Sequence, residues 1–506
     1  MNASFPRRAF LKTTVAASGA LGLADCGFLA RLQPVAAAEA RIGPAQFLPE
    51  IEPLVRLLED TPRNKLIEEI AARVRRGLSY RDLLTALMLA GVRNIQPRPV
   101  GFKFHAVLVV NSAHLASLNS PDSDRWLPVF WALDQFKNSQ ARDVQEGDWT
   151  MSAVDEKAVP AAHRAAAAFQ RAMEAWDEPA ADVAAAAMAR HLGAQECFEL
   201  FARLGARDFR DIGHKAIYVA NSWRTLQTMG WNHAEAVLRS LAYALLDRGR
   251  GPNPAQNDLA PDRPWRRNLK LAGDIRKEWL DGKPDPGATA EMLNALREAD
   301  ENAACDVVVK LLNRGAAPAS LYDAYFQAAG ELLMRRTGIV SLHAVTSTNA
   351  LHYAFQHSGN DETRRLLLLQ NAAFLSLFRQ SAVGGDTKSG PRIDGLEPLT
   401  PSAGATGAVD EIFADVSRNK AVAAQKTLAW LDAGGDARSF LDAARRLLFL
   451  KGTDSHDYKF ASAALEDYYH VAPAHRGRFL AASTFYLRGS GAPDTSLAKR
   501  IRAALT

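Results

Sequence analysis

Apolar residues recur at intervals of three and four through most of the chain. Lys65-Leu-Ile-Glu-Glu-Ile-Ala-Ala-Arg-Val-Arg-Arg76 and Cys305-Asp-Val-Val-Val-Lys-Leu-Leu-Asn313 show the pattern clearly. Gly77 and Gly315 follow them, where a helix wants its C-terminal cap. Alternation with a period of two is almost absent, so the pattern predicts an all-α protein. Clusters of Gly, Pro, Asn, Asp, Ser and Thr at 249–265, 280–288 and 382–408 predict loops that serve as boundaries or lids.

The helical pattern repeats. Gly77, Gly193, Gly315 and Gly435 each read as a helix end, and an alanine lies nine residues beyond each, at Ala86, Ala202, Ala324 and Ala444. From the same glycines a histidine arrives after 28, 21, 28 and 21 residues, at His105, His214, His343 and His456. The alternation makes the larger unit a pair of quarters. His105-Ala-Val-Leu-Val-Val-Asn111-Ser-Ala-His114 matches His343-Ala-Val-Thr-Ser-Thr-Asn349-Ala-Leu-His352, and His214 precedes His233 by the 19 residues that separate His456 from His475. Rare residues in register in both halves predict an internal duplication into two helical units, 39–280 and 281–506, packed around a shared core.

Helical geometry sorts these histidines into two sets. Nine residues turn a helix through about 900°, so His105 and His114 face opposite ways, as do His343 and His352. Only one set can converge. His105, His214, His343 and His456 follow the glycine in every quarter and are the better candidates for a closed site. Four neutral imidazoles suit iron, copper, nickel or zinc. Lys459 lies three residues after His456, on the same helical face. An ammonium is a poor neighbour for a bound cation, whereas a carbamate formed with carbon dioxide is an anionic oxygen ligand. His114, His352, His233 and His475 are expected to orient ligands or to pack helices, with Asn111 and Asn349 in similar roles. His163, His191, His357 and His470 are unduplicated and are assigned to the surface. Trp126, Trp131, Trp223 and Trp231 are expected to fill core, though one could line an aromatic substrate cavity.

The N-terminus changes the setting. Arg7-Arg8-Ala9-Phe10-Leu11-Lys12, an Ala/Gly/Leu stretch and Pro34-Val-Ala-Ala-Ala38 read as a twin-arginine export signal spanning residues 1–38. Cys26 hints at a lipoprotein signal, but Asp25 suits the position before it badly, and cleavage near Ala38 is preferred. No later run is apolar enough for a membrane span. The expected location is therefore the periplasm or the exterior. Losing four basic residues (Arg7, Arg8, Lys12, Arg31) and one acid (Asp25) lowers the formal charge from +5 to about +2, which argues against nucleic acid as a partner. Cys197 and Cys305 sit in helical runs and read as small buried hydrophobes rather than a disulfide. The twin-arginine route carries folded proteins, which favours a cofactor loaded before export. Dinucleotide and phosphate-binding glycine motifs, Cys-x-x-Cys, a haem-attachment motif and a serine nucleophile elbow are all missing from the sequence.

At His343-Ala-Val-Thr-Ser347, His456-x-x-Lys459, His214-Lys-Ala-Ile217 and the early helix starting at His105, the chain resembles the questin oxidase-like family, whose members include enzymes that open anthraquinone rings. The resemblance spans most of the chain beyond the signal as scattered short matches. It implies a mononuclear non-haem Fe(II) centre held by His105, His214, His343, His456 and a carboxylated Lys459. It also implies dioxygen and an aromatic or quinone-like small molecule as substrates, with Lys459 and His343 as catalytic residues. Some family members depend on a nicotinamide, but an exported chain is parted from NADPH, and no such requirement is expected here. The rival expectation is a non-catalytic exported helical scaffold or a metal-binding protein without turnover.

Overall fold

The computed structural model describes residues 44–384 and 389–506. The expected signal at 1–38 lies outside the described residues. Pro44–Thr506 forms one compact unit, within which the described parts of both expected helical units fall. Among the described residues the fold is all-α. Its only β features are isolated bridges, Pro44 with Ser152 and Lys283 with Ala316. No described helix is long and apolar enough to cross a membrane.

Sixteen of the 22 α-helices among the described residues fall into four successive groups. The first holds α1 (Arg63–Arg75), α2 (Tyr80–Asn94), α3 (His105–Leu118) and α4 (Leu127–Glu146). The second holds α5 (Glu178–His191), α6 (Ala194–Gly205), α7 (His214–Met229) and α8 (Ala234–Leu245). The third holds α9 (Glu301–Arg314), α10 (Pro318–Arg335), α11 (Ile339–His357) and α12 (Asp361–Val383). The fourth holds α13 (Lys420–Asp432), α14 (Ala437–Lys451), α15 (Ser455–His470) and α16 (Pro473–Ser483). Ala86, Ala202, Ala324 and Ala444 are all buried, one in the second helix of each group.

The glycines behave less uniformly than their spacing predicts. Gly77 and Gly315 are left-handed helix ends, at φ of 100° and 103°. Gly193 instead starts α6 in an extended conformation, because α5 has already closed at Leu192. In the fourth group the left-handed residue is Gly434, not Gly435. The register therefore marks breaks between helices, and only half of the marked positions are left-handed C-terminal ends.

The third helices, α3, α7, α11 and α15, form the centre. Each packs against two of the others, closing a ring α3–α7–α11–α15. Their sequences explain the placement. From Ala106 to Ala113 every residue of α3 is buried, and α11 is buried from Ser341 to Phe355. A helix without a solvent face belongs inside a bundle. Cys197 and Cys305 are buried and unpaired, matching the expectation for them. Trp131 and Trp223 are buried, while Trp126 and Trp231 are partly buried and pack against the core.

Candidate metal centre

The ring carries its histidines at one end. His105 and His214 are the first residues of α3 and α7, His456 is the second residue of α15, and His343 lies in the first turns of α11. All four helices therefore enter the site by their N-termini and run away from it together. Ser112 meets Ser462 two turns past His105, and Asn111 meets Asn221 at a similar depth.

Local sequence fixes each entry. Ahead of His105, Gly101 takes φ 149° and Phe102 φ 48°. Ahead of His214, Asp211, Ile212 and Gly213 take φ of 50°, 46° and 77°. Phe102, Asp211 and Ile212 are three of the five described non-glycine residues with positive φ, and left-handed backbone costs such residues about 1–3 kcal/mol. A β-carbon on Gly213 would stand 2.1 Å from Ser347 Oγ, so glycine is required there. The start of α7 is anchored by Lys215, whose fully buried Nζ lies 2.9 Å from Asp208 and 2.7 Å from the Asp247 carbonyl. α15 opens with a capping box built on Asp454 and Asp457.

These entries aim the rings inward. His214 Nε2 lies 2.8 Å from His105 Nε2 and 2.9 Å from His343 Nε2. His214 Nδ1 is 2.5 Å from the Asp211 carbonyl, and His343 Nδ1 is 2.7 Å from the Ile339 carbonyl. His105 makes the matching bond to the Phe102 carbonyl. A carbonyl can only accept, so Nδ1 of His214 and of His343 carries the proton, and their Nε2 lone pairs face one another, His105 Nε2 and the Lys459 amine. Ring nitrogens this close repel one another unless a proton donor or a cation lies among them, and Lys459 Nζ reaches only those of His214 and His343. His105, His214 and His343 thus form a group of three with ligand atoms within 4.8 Å of one another.

Protons are poor candidates for that cation. Burial, with Lys459 and the neighbouring imidazoles adding to it, pushes all three histidines well below their ordinary range. Lys459 is 2% exposed, and its Nζ lies 3.1 Å from His214 Nε2 and 3.3 Å from His343 Nε2. Burial lowers it to about 7, partly opposed by Asp454. The three imidazoles are therefore neutral and convergent, which is what a transition metal requires of its histidine ligands.

His456 stands beside this group rather than within it. Its ring centroid is 4.5 Å from that of His105 and 5.3 Å from that of His343, and its Nδ1 lies 2.6 Å from Asp454 Oδ1. That carboxylate contact fixes the ring as partners behind metal ligands commonly do. His214 and His343 are buried, while His105 is partly exposed and the His456 side chain is 14% exposed. Access is therefore from the His105 and His456 side.

The second histidine set lies elsewhere. His114 Nδ1 meets the Tyr80 hydroxyl and its Nε2 the Thr228 hydroxyl, both at 3.1 Å, which ties α3 to α2 and α7. His352 packs edge-on against Tyr322 and Phe326. His233 and His475 are partly buried and touch none of the clustered rings. Of the two roles expected for this set, His114 and His352 fill the packing one. His163, His191, His357 and His470 are exposed, as expected, although the His470 ring rests 4.8 Å from that of His352.

Burial first, then His470, Arg224 and His357, push His352 down to about 3. Its pKa in the unfolded chain is the higher of the two, so the unfolded state takes up the extra proton on acidification. Stability is then complete above pH ~6.5 and falls as the pH drops toward 3, by up to about 1.4 kcal/mol per unit. In urea titrations, His352→Phe is expected to lessen this acid sensitivity relative to wild type. Parallel pH profiles for the two proteins would contradict the assignment.

Sequence reasoning missed three contributors. The Phe102, Asp211 and Ile339 carbonyls are backbone groups, invisible in residue identity. Asp454 had a usable signal, an acid two residues before a histidine at a helix start. The third is a buried network deeper in the ring. There Asn349 donates to Glu466 and Asp467 at 2.8 Å each, and Arg224 pairs with Glu466 at 2.7 Å. Asn349 lies in this network and Asn111 beside Asn221, so neither supports a clustered histidine directly.

Comparison with protein-family models, curated proteins and solved structures finds no match to this chain.

Proposed function

We propose that the chain is a non-haem iron oxygenase of the questin oxidase-like kind, acting with dioxygen on an aromatic or quinone-like small molecule. The observation that carries this reading is the convergence of three neutral imidazoles, with ring nitrogens within 4.8 Å of one another, in a buried site. His105, His214 and His343 would hold Fe(II), with His456 joining from the exposed side. Bound there, the iron would supply the electron chemistry by which dioxygen reacts with an aromatic ring.

The chain's own groups do the rest. The carbonyls of Phe102, Asp211 and Ile339 hold each ring in one tautomer, and Asp454 does the same for His456. Four helix N-termini bring partial positive charge to the site, which disfavours a cation there. An ammonium on Lys459 would add to that charge. A carbamate on Lys459 would offset it, so the carboxylated form is the ligand in this reading. Five protein ligands leave one or two open positions at most, and the partly exposed His105 and His456 edge is where a small molecule can approach. The twin-arginine signal belongs to the same reading, with folding and metal loading preceding export to the periplasm or exterior.

Dioxygen uptake with hydroquinones and quinones, compared between iron-loaded wild type and His343→Ala, tests the proposal. Uptake is expected in wild type and is expected to fall by about 100-fold or more in the variant. Equal rates would remove His343 from the reaction. Metal binding without uptake would leave a metal-binding protein without turnover.

A further inference from the structure

A second ligand site lies on the flank of the same helices. Between α3, α14 and α15 is a cavity of about 190 Å³, with Ser112 and Ser462 among its walls. A cavity of roughly 150 Å³ holds one benzene molecule, so this space accepts a single substituted ring. It opens beside a much wider groove that shares Asn119, Arg445 and Tyr469 with it.

The walls divide by chemistry. Leu115, Ala116, Leu448, Ala461 and Leu465 supply apolar surface for the faces of a ring. Ser462 Oγ lies 2.9 Å from Ser112 Oγ and 3.1 Å from the Lys459 carbonyl, so the carbonyl takes the Ser462 proton and Ser112 donates to Ser462. Glu466 gives its Oε2 to Arg224 and Asn349, which leaves Oε1 as an acceptor at the cavity wall. A ring hydroxyl can donate to Glu466 Oε1. Arg445 bonds Asp442 through one nitrogen at 3.3 Å, and the remaining nitrogens of its guanidinium suit a carboxylate.

We infer that this cavity binds a monocyclic hydroxylated aromatic acid, with its ring between α3 and α15, its hydroxyl on Glu466, and its carboxylate on Arg445. The inference rests on the cavity alone and does not require the metal to be iron or the chain to be an enzyme. The site lies about one turn past Lys459 on α15, which makes it an adjoining pocket rather than the metal's own coordination sphere.

Calorimetric titration of the full chain with 4-hydroxybenzoate tests it. Binding is expected in wild type. Arg445→Met, at a partly exposed position that leaves the core intact, is expected to weaken binding by about tenfold or more, the loss of one charged hydrogen bond. Ala461→Phe, which fills the space, is expected to abolish binding while circular dichroism and metal content stay unchanged. Benzoate, lacking the hydroxyl, is expected to bind more weakly to wild type, and Glu466→Gln is expected to narrow that difference. Equal affinity in wild type, Arg445→Met and a folded Ala461→Phe would overturn the assignment. So would tighter binding of a tricyclic anthraquinone carboxylate, or of an aromatic amine in place of the acid. Since none of these readings uses dioxygen uptake, a failed oxygenase assay leaves the result intact.

Discussion

Replacing His214 by alanine is expected to abolish high-affinity metal binding. His214 is the hub of the cluster, with its Nε2 within 3.1 Å of two imidazole nitrogens and the Lys459 amine. Binding free energies of about 10–16 kcal/mol at tetrahedral protein sites, shared among four or five ligands, give about 2–4 kcal/mol each. The expected loss is therefore about 30- to 800-fold in Kd, read by competition with a chromophoric chelator. The same substitution carries an opposite effect on the metal-free protein. Deleting a buried ring ordinarily costs about 2–5 kcal/mol, but here it also removes the lone pair facing two others. The metal-free variant is expected to lose less stability than that range, while metal-loaded wild type gains stability that the variant does not. A Kd unchanged within about threefold would remove His214 from the site.

The second large effect concerns Lys459, where two chemical states give opposite signs. If the amine stays as a buried ammonium, Lys459→Met relieves repulsion and tightens metal binding. If it is carboxylated, the same change deletes an anionic ligand and weakens binding by about 10- to 100-fold. The account expects weakening. It also expects wild type loaded in carbon dioxide-depleted buffer to take up less metal than wild type loaded with bicarbonate, and the methionine variant to be indifferent to bicarbonate. Carbon-13 NMR after growth of the complex in labelled bicarbonate would report the carbamate directly. Tighter metal binding by Lys459→Met would reject the carboxylated form.

The parts legible in the sequence are those that depend on local period and spacing. Apolar residues at helical intervals gave the all-α class. The recurrence of His105, His214, His343 and His456 after a break and a buried alanine singled out four histidines that lie at one end of a ring of helices, three of them with clustered ring nitrogens. The half-turn between His105 and His114 correctly separated the clustered set from the packing set, since helix geometry is set by residue number alone.

Three kinds of information were not local. The tautomer-fixing carbonyls of Phe102, Asp211 and Ile339 depend on turn conformations, two of them left-handed at non-glycine residues. The Arg224–Glu466 pair joins residues 242 positions apart, so no window of sequence contains it. Spacing alone also treated the four marker glycines alike, whereas Gly193 begins a helix and Gly434 takes the left-handed role expected of Gly435. In the same way, spacing placed His456 on equal terms with the other three, but its Nδ1 is engaged by a carboxylate and it stands at the exposed edge.

The central claim is that His105, His214 and His343 share one metal ion, and anomalous diffraction at the metal's absorption edge measures this most directly. Crystals of protein purified without chelator are expected to show one strong peak about 2.0–2.2 Å from the Nε2 atoms of all three histidines. Well-ordered rings with no anomalous peak within about 4 Å of them, after soaking in iron, zinc and copper in turn, would contradict it.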